Sequence, residues 1–202
     1  MSKNTKEKII AKALKLFNIE GVENITTRHI AKELGISQGN LHYHYPNKNE
    51  LIKTLFNQFL FEIKNAERFK KDVFKKEDVI GSMVDNYKIM YNYRFFFKDN
   101  EIVWRRLPEI KKTLIEVFEI KRQQIVYLIQ LYRTQGIFRK NISDDQIEFL
   151  AEQFIFSITS WLNTSAYSEE KKDIALYYAR FTFRIWLPYL EAKAMKEWEK
   201  LL

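Results

Sequence analysis

Apolar residues return every three or four positions along most of this 202-residue chain, and that spacing favours helix over any other regular structure. Ile9, Ile10, Ala13, Leu14 and Phe17 make one such series, with lysines between them; Leu51, Leu55, Phe59 and Ile63 make another. No stretch alternates in the two-residue rhythm of a half-buried strand. Only 5 glycines and 3 prolines are present, so sharp turns are few and the helices must be joined by short loops. Hydrophobic residues make up 46% of the chain and aromatic residues 15%, ample material for a core. The expected fold class is all-α.

Capping signals divide the helices. Asn4 and Glu7 have capping-box spacing ahead of the first series, which Gly21 stops. Thr26 or Thr27 can cap a second helix whose apolar face is Ile30, Ala31 and Leu34. Gly35 stands where a left-handed residue ends it, and Ile36 follows as the apolar residue that packs back on such an end. Ser37 caps a third, very short helix that Pro46 terminates. Asn47 and Glu50 open a fourth, from 48 to about 70, and a polar connection follows over 70–79. Further helices are expected over 78–97, 99–106, 108–134 and 144–164. Pro108 sits in the first turn of the third of these, "QGIF" breaks it, and Ser143 with Gln146 caps the fourth. A last helix, capped by Ser168, is expected over 169–200, with a kink or local break at Pro188.

Charge narrows the function. The formal net charge is +8, and residues 1–48 carry eight basic against four acidic residues, half of that excess in a quarter of the chain. A basic N-terminal segment points to a polyanionic partner, DNA first and a membrane surface second. With no cysteine, disulfides and thiolate metal sites are excluded. The opening residues hold no apolar signal core and no run of about 18 apolar residues occurs, so a soluble, cytoplasmic protein without membrane insertion is expected.

The second and third helices, joined at Gly35, describe a helix-turn-helix. On a wheel of about 100° per residue, Leu41 and Tyr45 share the inward face of the short helix. Gly39, Asn40 and Tyr43 then lie outward, with His42 and His44 flanking. The short helix can enter a major groove. The His42–His44 spacing places the two imidazoles on different sides of the helix, with no third ligand in register, so no metal is expected. Arg28 could face DNA, or pair with Glu33 or with another helix.

The run "TTRHIAKELGISQGNLHYHYPNKNEL", Thr26 to Leu51, resembles the DNA-binding domain of TetR-family transcriptional regulators, and the likeness covers roughly residues 5–53. It implies a helix-turn-helix domain over 1–48 and a larger helical domain over 49–202 that binds a small ligand and carries a homodimer interface. It implies a repressor, released from a pseudo-palindromic, double-stranded operator by a small hydrophobic or aromatic molecule. By the same resemblance Thr27, Arg28, Ser37, Gln38, Gly39, Asn40, His42, Tyr43, His44 and Lys48 are the candidate DNA contacts. Thr27 and Lys48 match residues that hold phosphates. His42 stands where many members carry tyrosine and Tyr45 where phenylalanine is common. A contact through His42 would depend on pH.

The later helices are rich in aromatics. Tyr87, Tyr91, Phe95, Trp104, Phe118 and Phe154 are candidates to line a ligand pocket, although aromatics at helical spacing also serve as ordinary core. The helices over 144–164 and 169–200 are apolar nearly all round, which suggests one face for the core and one for a second copy. Phe154, Ile158, Trp161, Tyr178, Phe181 and Ile185 are the candidate dimer contacts; the alternative is a buried central helix in a monomer. No cofactor is expected beyond an unidentified small-molecule ligand. No nucleophile–base arrangement or glycine-rich phosphate loop is visible, so an enzyme is not expected. The competing function is a helical protein-interaction or membrane-surface module with a basic N-terminal face.

Overall fold

The computed structural model describes residues 2–66, 76–164 and 173–202. The regular structure of the described residues is all helical, apart from an isolated bridge between Phe138 and Leu190. In chain order the helices are α1 (Ser2–Glu20), α2 (Thr27–Leu34), α3 (Gln38–His44), α4 (Lys48–Asn65), α5 (Lys76–Asn92), α6 (Phe95–Lys98), α7 (Asn100–Arg106), α8 (Pro108–Thr134), α9 (Asp144–Thr164), α10 (Ile174–Phe183) and α11 (Ala192–Trp198). Short 3₁₀ turns cover Leu187–Tyr189 and Glu199–Leu201. The all-α expectation is met.

Local chemistry sets most helix ends. Thr26 Oγ1 accepts from the His29 N–H at 3.2 Å, and the Thr26 N–H donates to His29 Nδ1 at 3.4 Å. A histidine here takes the role that glutamate or glutamine usually has in a capping box. Gly35, at φ 64, closes α2: its N–H donates to the Lys32 carbonyl and the Ile36 N–H to the Ala31 carbonyl, each at 3.1 Å. Ser37 Oγ accepts from the Asn40 N–H and Asn47 Oδ1 from the Glu50 N–H. Ser143 and Gln146 cap α9 reciprocally.

Three helices depart from the sequence expectation. The first begins at Ser2, so Asn4 and Glu7 lie inside it and cap nothing; the lysine-rich turn ahead of Ile9 is itself good helix. The helix expected over 78–97 stops at Asn92. There Asn18 Nδ2 donates to the Asn92 carbonyl at 2.6 Å, and Asn18 Oδ1 accepts from the Phe95 N–H at 3.1 Å. A side chain 74 residues away thus takes up backbone groups at the break. The long last helix is divided. Beyond Phe183 the chain tightens through Pro188, and residues 189–191 pair with 137–139: Arg139 donates to the Tyr189 carbonyl at 2.9 Å and Glu191 to the Ile137 carbonyl at 2.8 Å. The expected cap at Ser168 and most of the polar 70–79 connection lie outside the described residues; Asp173 Oδ1 caps α10 from Leu176 N–H.

The chain groups into two compact units, one of Met1–Asn65 with Ile89–Lys112 and one of Ala66–Lys88 with Thr113–Leu202. The first is built on Ile9, Ala13, Phe17, Ile30, Leu41, Leu51, Leu55 and Phe59, all buried. Phe59 meets the rings of Phe56, Tyr93, Phe96 and Phe97 at 5.7–6.2 Å, and Phe17 meets Phe95 at 5.4 Å. In the second, Trp161 packs on Tyr87 and Tyr178, while Trp186 packs on Phe138, Phe154 and Phe183. Each fully buried ring of this size stabilises the fold by about 1.5–3 kcal/mol. No helix among the described residues is long and apolar enough to cross a membrane.

Candidate functional site

Helix α3 is anchored through two residues and open over most of the rest. Leu41 is fully buried and Tyr45 nearly so, with the Lys6 ammonium 5.5 Å from the Tyr45 ring centre. Burial raises the Tyr45 hydroxyl above its ordinary pKa. Gln38, Gly39, Asn40, His42 and Tyr43 are exposed, Tyr43 by 82%, and His44 is half-buried with its ring edge-on to Tyr43 at 5.2 Å. A side chain at Gly39 would meet nothing closer than Ser37 Oγ at 4.0 Å. Packing within the chain therefore does not require glycine there, and the open space permits another backbone to approach closely.

The remaining candidates sit around this face. Arg28 Nε donates to Gln38 Oε1 at 3.2 Å, which ties the first turn of α2 to the first turn of α3; Glu33 is instead held by Lys12 at 3.3 Å. Thr27 is the first residue of α2 and half-buried. Ser37 is occupied as the cap of α3. Lys48 opens α4, but its ammonium donates to the Val22 carbonyl at 2.7 Å, and burial, then the Arg106 charge, lowers its pKa.

Sequence reading missed a clamp on the loop between α1 and α2. Asp99 Oδ2 accepts from the Val22 N–H at 2.7 Å, and Arg106 Nη2 donates to both Glu23 carboxylate oxygens at 3.1–3.2 Å. The hydrogen bond and charge of Arg106 hold the Glu23 carboxyl below the ordinary carboxylate range. Gly21, at φ 82, lets the loop approach: a Cβ there would lie 3.2 Å from Asp99 Oδ2. The partners are 77 and 83 residues apart in sequence, and no local pattern announces them.

The second unit holds a cavity of about 410 Å³. Val79, Met83, Ile125, Leu128, Phe154 and Ile158 supply apolar walls; Asn86, Lys121, Gln123, Gln124 and Tyr127 add polar groups. Tyr87 and Phe154 lie on the wall of this cavity. Tyr87 OH bonds Thr182 Oγ1 at 2.5 Å, and burial raises its pKa well above the ordinary tyrosine value. Tyr91, Phe95 and Trp104 do not line this cavity. The break after Asn92 places them in the first unit, where Phe95 packs on Phe17, Arg94 lies over Tyr91 and Lys111 over Trp104. Phe118, half-buried on α8, is also not on the wall. The recurrence of Val79, Ser82, Met83 and Asn86 along one face of α5 was the available signal for the wall.

The candidate dimer contacts also divide. Phe154, Ile158, Trp161 and Tyr178 are buried within the chain itself: Phe154 and Ile158 line its cavity, and Trp161 and Tyr178 pack on one another in its core. Only Phe181, 51% exposed, and the half-buried Ile185 face outward to any degree. The large exposed rings on α9 are Phe149 and Phe156, at 52% and 65%. Among the described residues no group of three or more His, Asp or Glu side chains could hold a metal ion.

A short, firmly anchored helix with an open polar face, carried on a basic helix-turn-helix, defines a DNA-binding regulator of transcription. The comparisons with known proteins agree. A family model described as a bacterial transcriptional repressor, TetR, matches residues 50–198, and the model for bacterial regulatory proteins of the tetR family matches residues 9–55. The chain belongs to the TetR family of helix-turn-helix transcriptional regulators. An HTH-type transcriptional regulator of Staphylococcus aureus (strain bovine RF122 / ET3-1) is 29% identical over 89% of this chain and 90% of that protein. The biofilm operon icaADBC negative regulator IcaR of Staphylococcus epidermidis is 33% identical over 46% of this chain and 44% of its own length. A TetR-family regulator from Marinobacter aquaeolei VT8 superposes with a TM-score of 0.88 at 25% identity, covering 98% of this chain and 96% of that one.

Proposed function

We propose that this regulator is a repressor that binds a pseudo-palindromic, double-stranded DNA operator as a homodimer and is released by a small molecule entering the cavity of the second unit. It works in the cytoplasm, as a binding protein without catalytic turnover. The observation that carries the reading is α3: Leu41 and Tyr45 are buried while Tyr43 and its neighbours stand open. In this reading Gln38, Gly39 and Asn40 meet base edges. Thr27, Arg28, Ser37, His42, Tyr43 and His44 hold the backbone or groove edge, and Lys48 adds a charge while shared with the Val22 carbonyl. The division of labour follows residues 1–48 for DNA and 49–202 for ligand and dimer. Phe149, Phe156 and Phe181 are the exposed rings available to a second copy. The ligand acts by favouring the dimer form whose recognition helices no longer match the half-sites, and it can shift that balance only by its difference in affinity for the two forms.

Selection of bound fragments from random DNA by the full-length protein, followed by footprinting, tests this. The expected result is a two-fold symmetric site protected on successive major grooves, with affinity falling steeply as salt rises. Equal affinity for all sequences overturns it.

A further inference from the structure

We propose that the DNA face extends beyond residues 1–48, with Arg105, at the end of α7, holding a phosphate of the duplex backbone. This rests on the reading of α3 as the helix that meets DNA. Helix α7 ends against the loop between α1 and α2: Arg106 Nη2 donates to both oxygens of Glu23 at 3.1–3.2 Å. Glu23 stands four residues ahead of Thr27, the candidate phosphate contact at the start of α2. Three cations act on this one carboxylate: Arg106 first, then more weakly Lys48 and Arg105. Two of the three are occupied. Arg106 is bound to Glu23 itself, and the Lys48 ammonium donates to the Val22 carbonyl at 2.7 Å and to the Glu23 carbonyl at 3.4 Å. Asp99 Oδ2 holds the Val22 N–H from the other side, so Lys48 can turn to a phosphate only by giving up its share of that clamp. Lys53, the next cation along α4, is matched by Glu109 at 3.3 Å and Glu50 at 3.9 Å. Arg105 is exposed and makes no hydrogen bond or ion pair among the described residues, Glu101 one turn earlier included. It is therefore the cation of this cluster whose donors are open. A guanidinium offers a phosphate two parallel N–H donors, and excess positive charge at the edge of the recognition face draws the duplex backbone. Such a contact reads no base; it adds affinity and fixes register without adding sequence preference.

The test uses the full-length protein, a duplex that it selects from random DNA, and a scrambled duplex of the same length. Affinity is titrated over a range of salt, and phosphate ethylation interference maps the backbone contacts. Arg105→Gln is expected to weaken both duplexes by the same several-fold factor. It should also lower the slope of log affinity against log salt by about one for each bound protomer. One phosphate in each half-site should drop out of the ethylation pattern. Arg105→Lys, which keeps the charge, should stay near the wild-type slope. Lys64→Gln makes the same change of charge on an exposed residue about 24 Å along α4 from Lys48, and should leave the slope unmoved. The melting temperature of Arg105→Gln should match the wild type, because the side chain holds nothing within the chain; a clear drop would make Arg105 a support of the loop and overturn the proposal. A wild-type slope and ethylation pattern in Arg105→Gln, equal losses in Arg105→Gln and Lys64→Gln, or a loss confined to the selected duplex also overturn it, while specific DNA binding by the wild type stands. If the wild type prefers no sequence, the reading of α3 falls and the proposal falls with it.

Discussion

The helix-turn-helix and the cavity unit are both helical, but they are specified differently. In the former, each helix end is set by a residue within a few positions: Thr26, Gly35, Ser37 and Asn47. In the latter, the decisive contacts join distant segments. Tyr87 meets Thr182, Trp186 meets Phe138 and Phe154, and Arg139 meets Tyr189. A DNA-reading helix needs only a fixed angle and an open face, which short-range caps and two buried side chains supply. A cavity needs walls from several helices at once, which only packing can supply.

That contrast can be tested from its largest effect down. Trp161→Ala removes a ring buried against Tyr87 and Tyr178. It should destabilise the protein by about 3–5 kcal/mol in chemical denaturation, and the cavity unit should account for the loss. Tyr43→Ala should leave the denaturation midpoint unmoved, since the ring is 82% exposed, yet weaken operator binding by about tenfold or more in a gel-shift titration. A matching loss of stability would mean that Tyr43 holds α3 and does not face DNA.

The two glycines at the helix-turn-helix should separate stability from binding. Gly35→Ala forces a Cβ into a left-handed position and should cost about 1–2 kcal/mol. Gly39→Ala meets no neighbour and should raise stability by up to about 1 kcal/mol through helix propensity, while lowering DNA affinity. The smallest effect concerns pH. Because Arg106 depresses the Glu23 carboxyl, the pair contributes stability above about pH 4.5 and loses it as pH falls through the lowered value. Melting curves of Arg106→Gln and wild type should therefore differ slightly at neutral pH and converge in acid. The pair is exposed, so salt should shrink the difference as well.

What was legible in the sequence follows the same division. The start of α2 at Thr26 or Thr27, its end at Gly35, the end of α3 just ahead of Pro46, and the span Pro108–Thr134 could be read directly, because caps and breakers act over one helical turn. The inward Leu41 and Tyr45 and the outward Tyr43 could be read from helical periodicity alone. Tyr87 and Phe154 were identifiable as wall residues only by their type, and the same criterion also selected Phe95 and Trp104, which lie in the other unit. An aromatic residue at helical spacing looks the same whether it lines a cavity or fills a core.

By itself, then, the sequence determined an all-helical chain, a helix-turn-helix and the family that carries it, because these rest on interactions between residues a few positions apart. Tertiary structure alone decided that α5 ends at Asn92, that the last helix breaks where 189–191 pairs with 137–139, and that Asp99 and Arg106 clamp the loop ahead of α2. It also decided which rings are walls and which are core. Each of those outcomes depends on a hydrogen bond or a packed surface supplied from dozens of residues away, and local spacing carries no record of it.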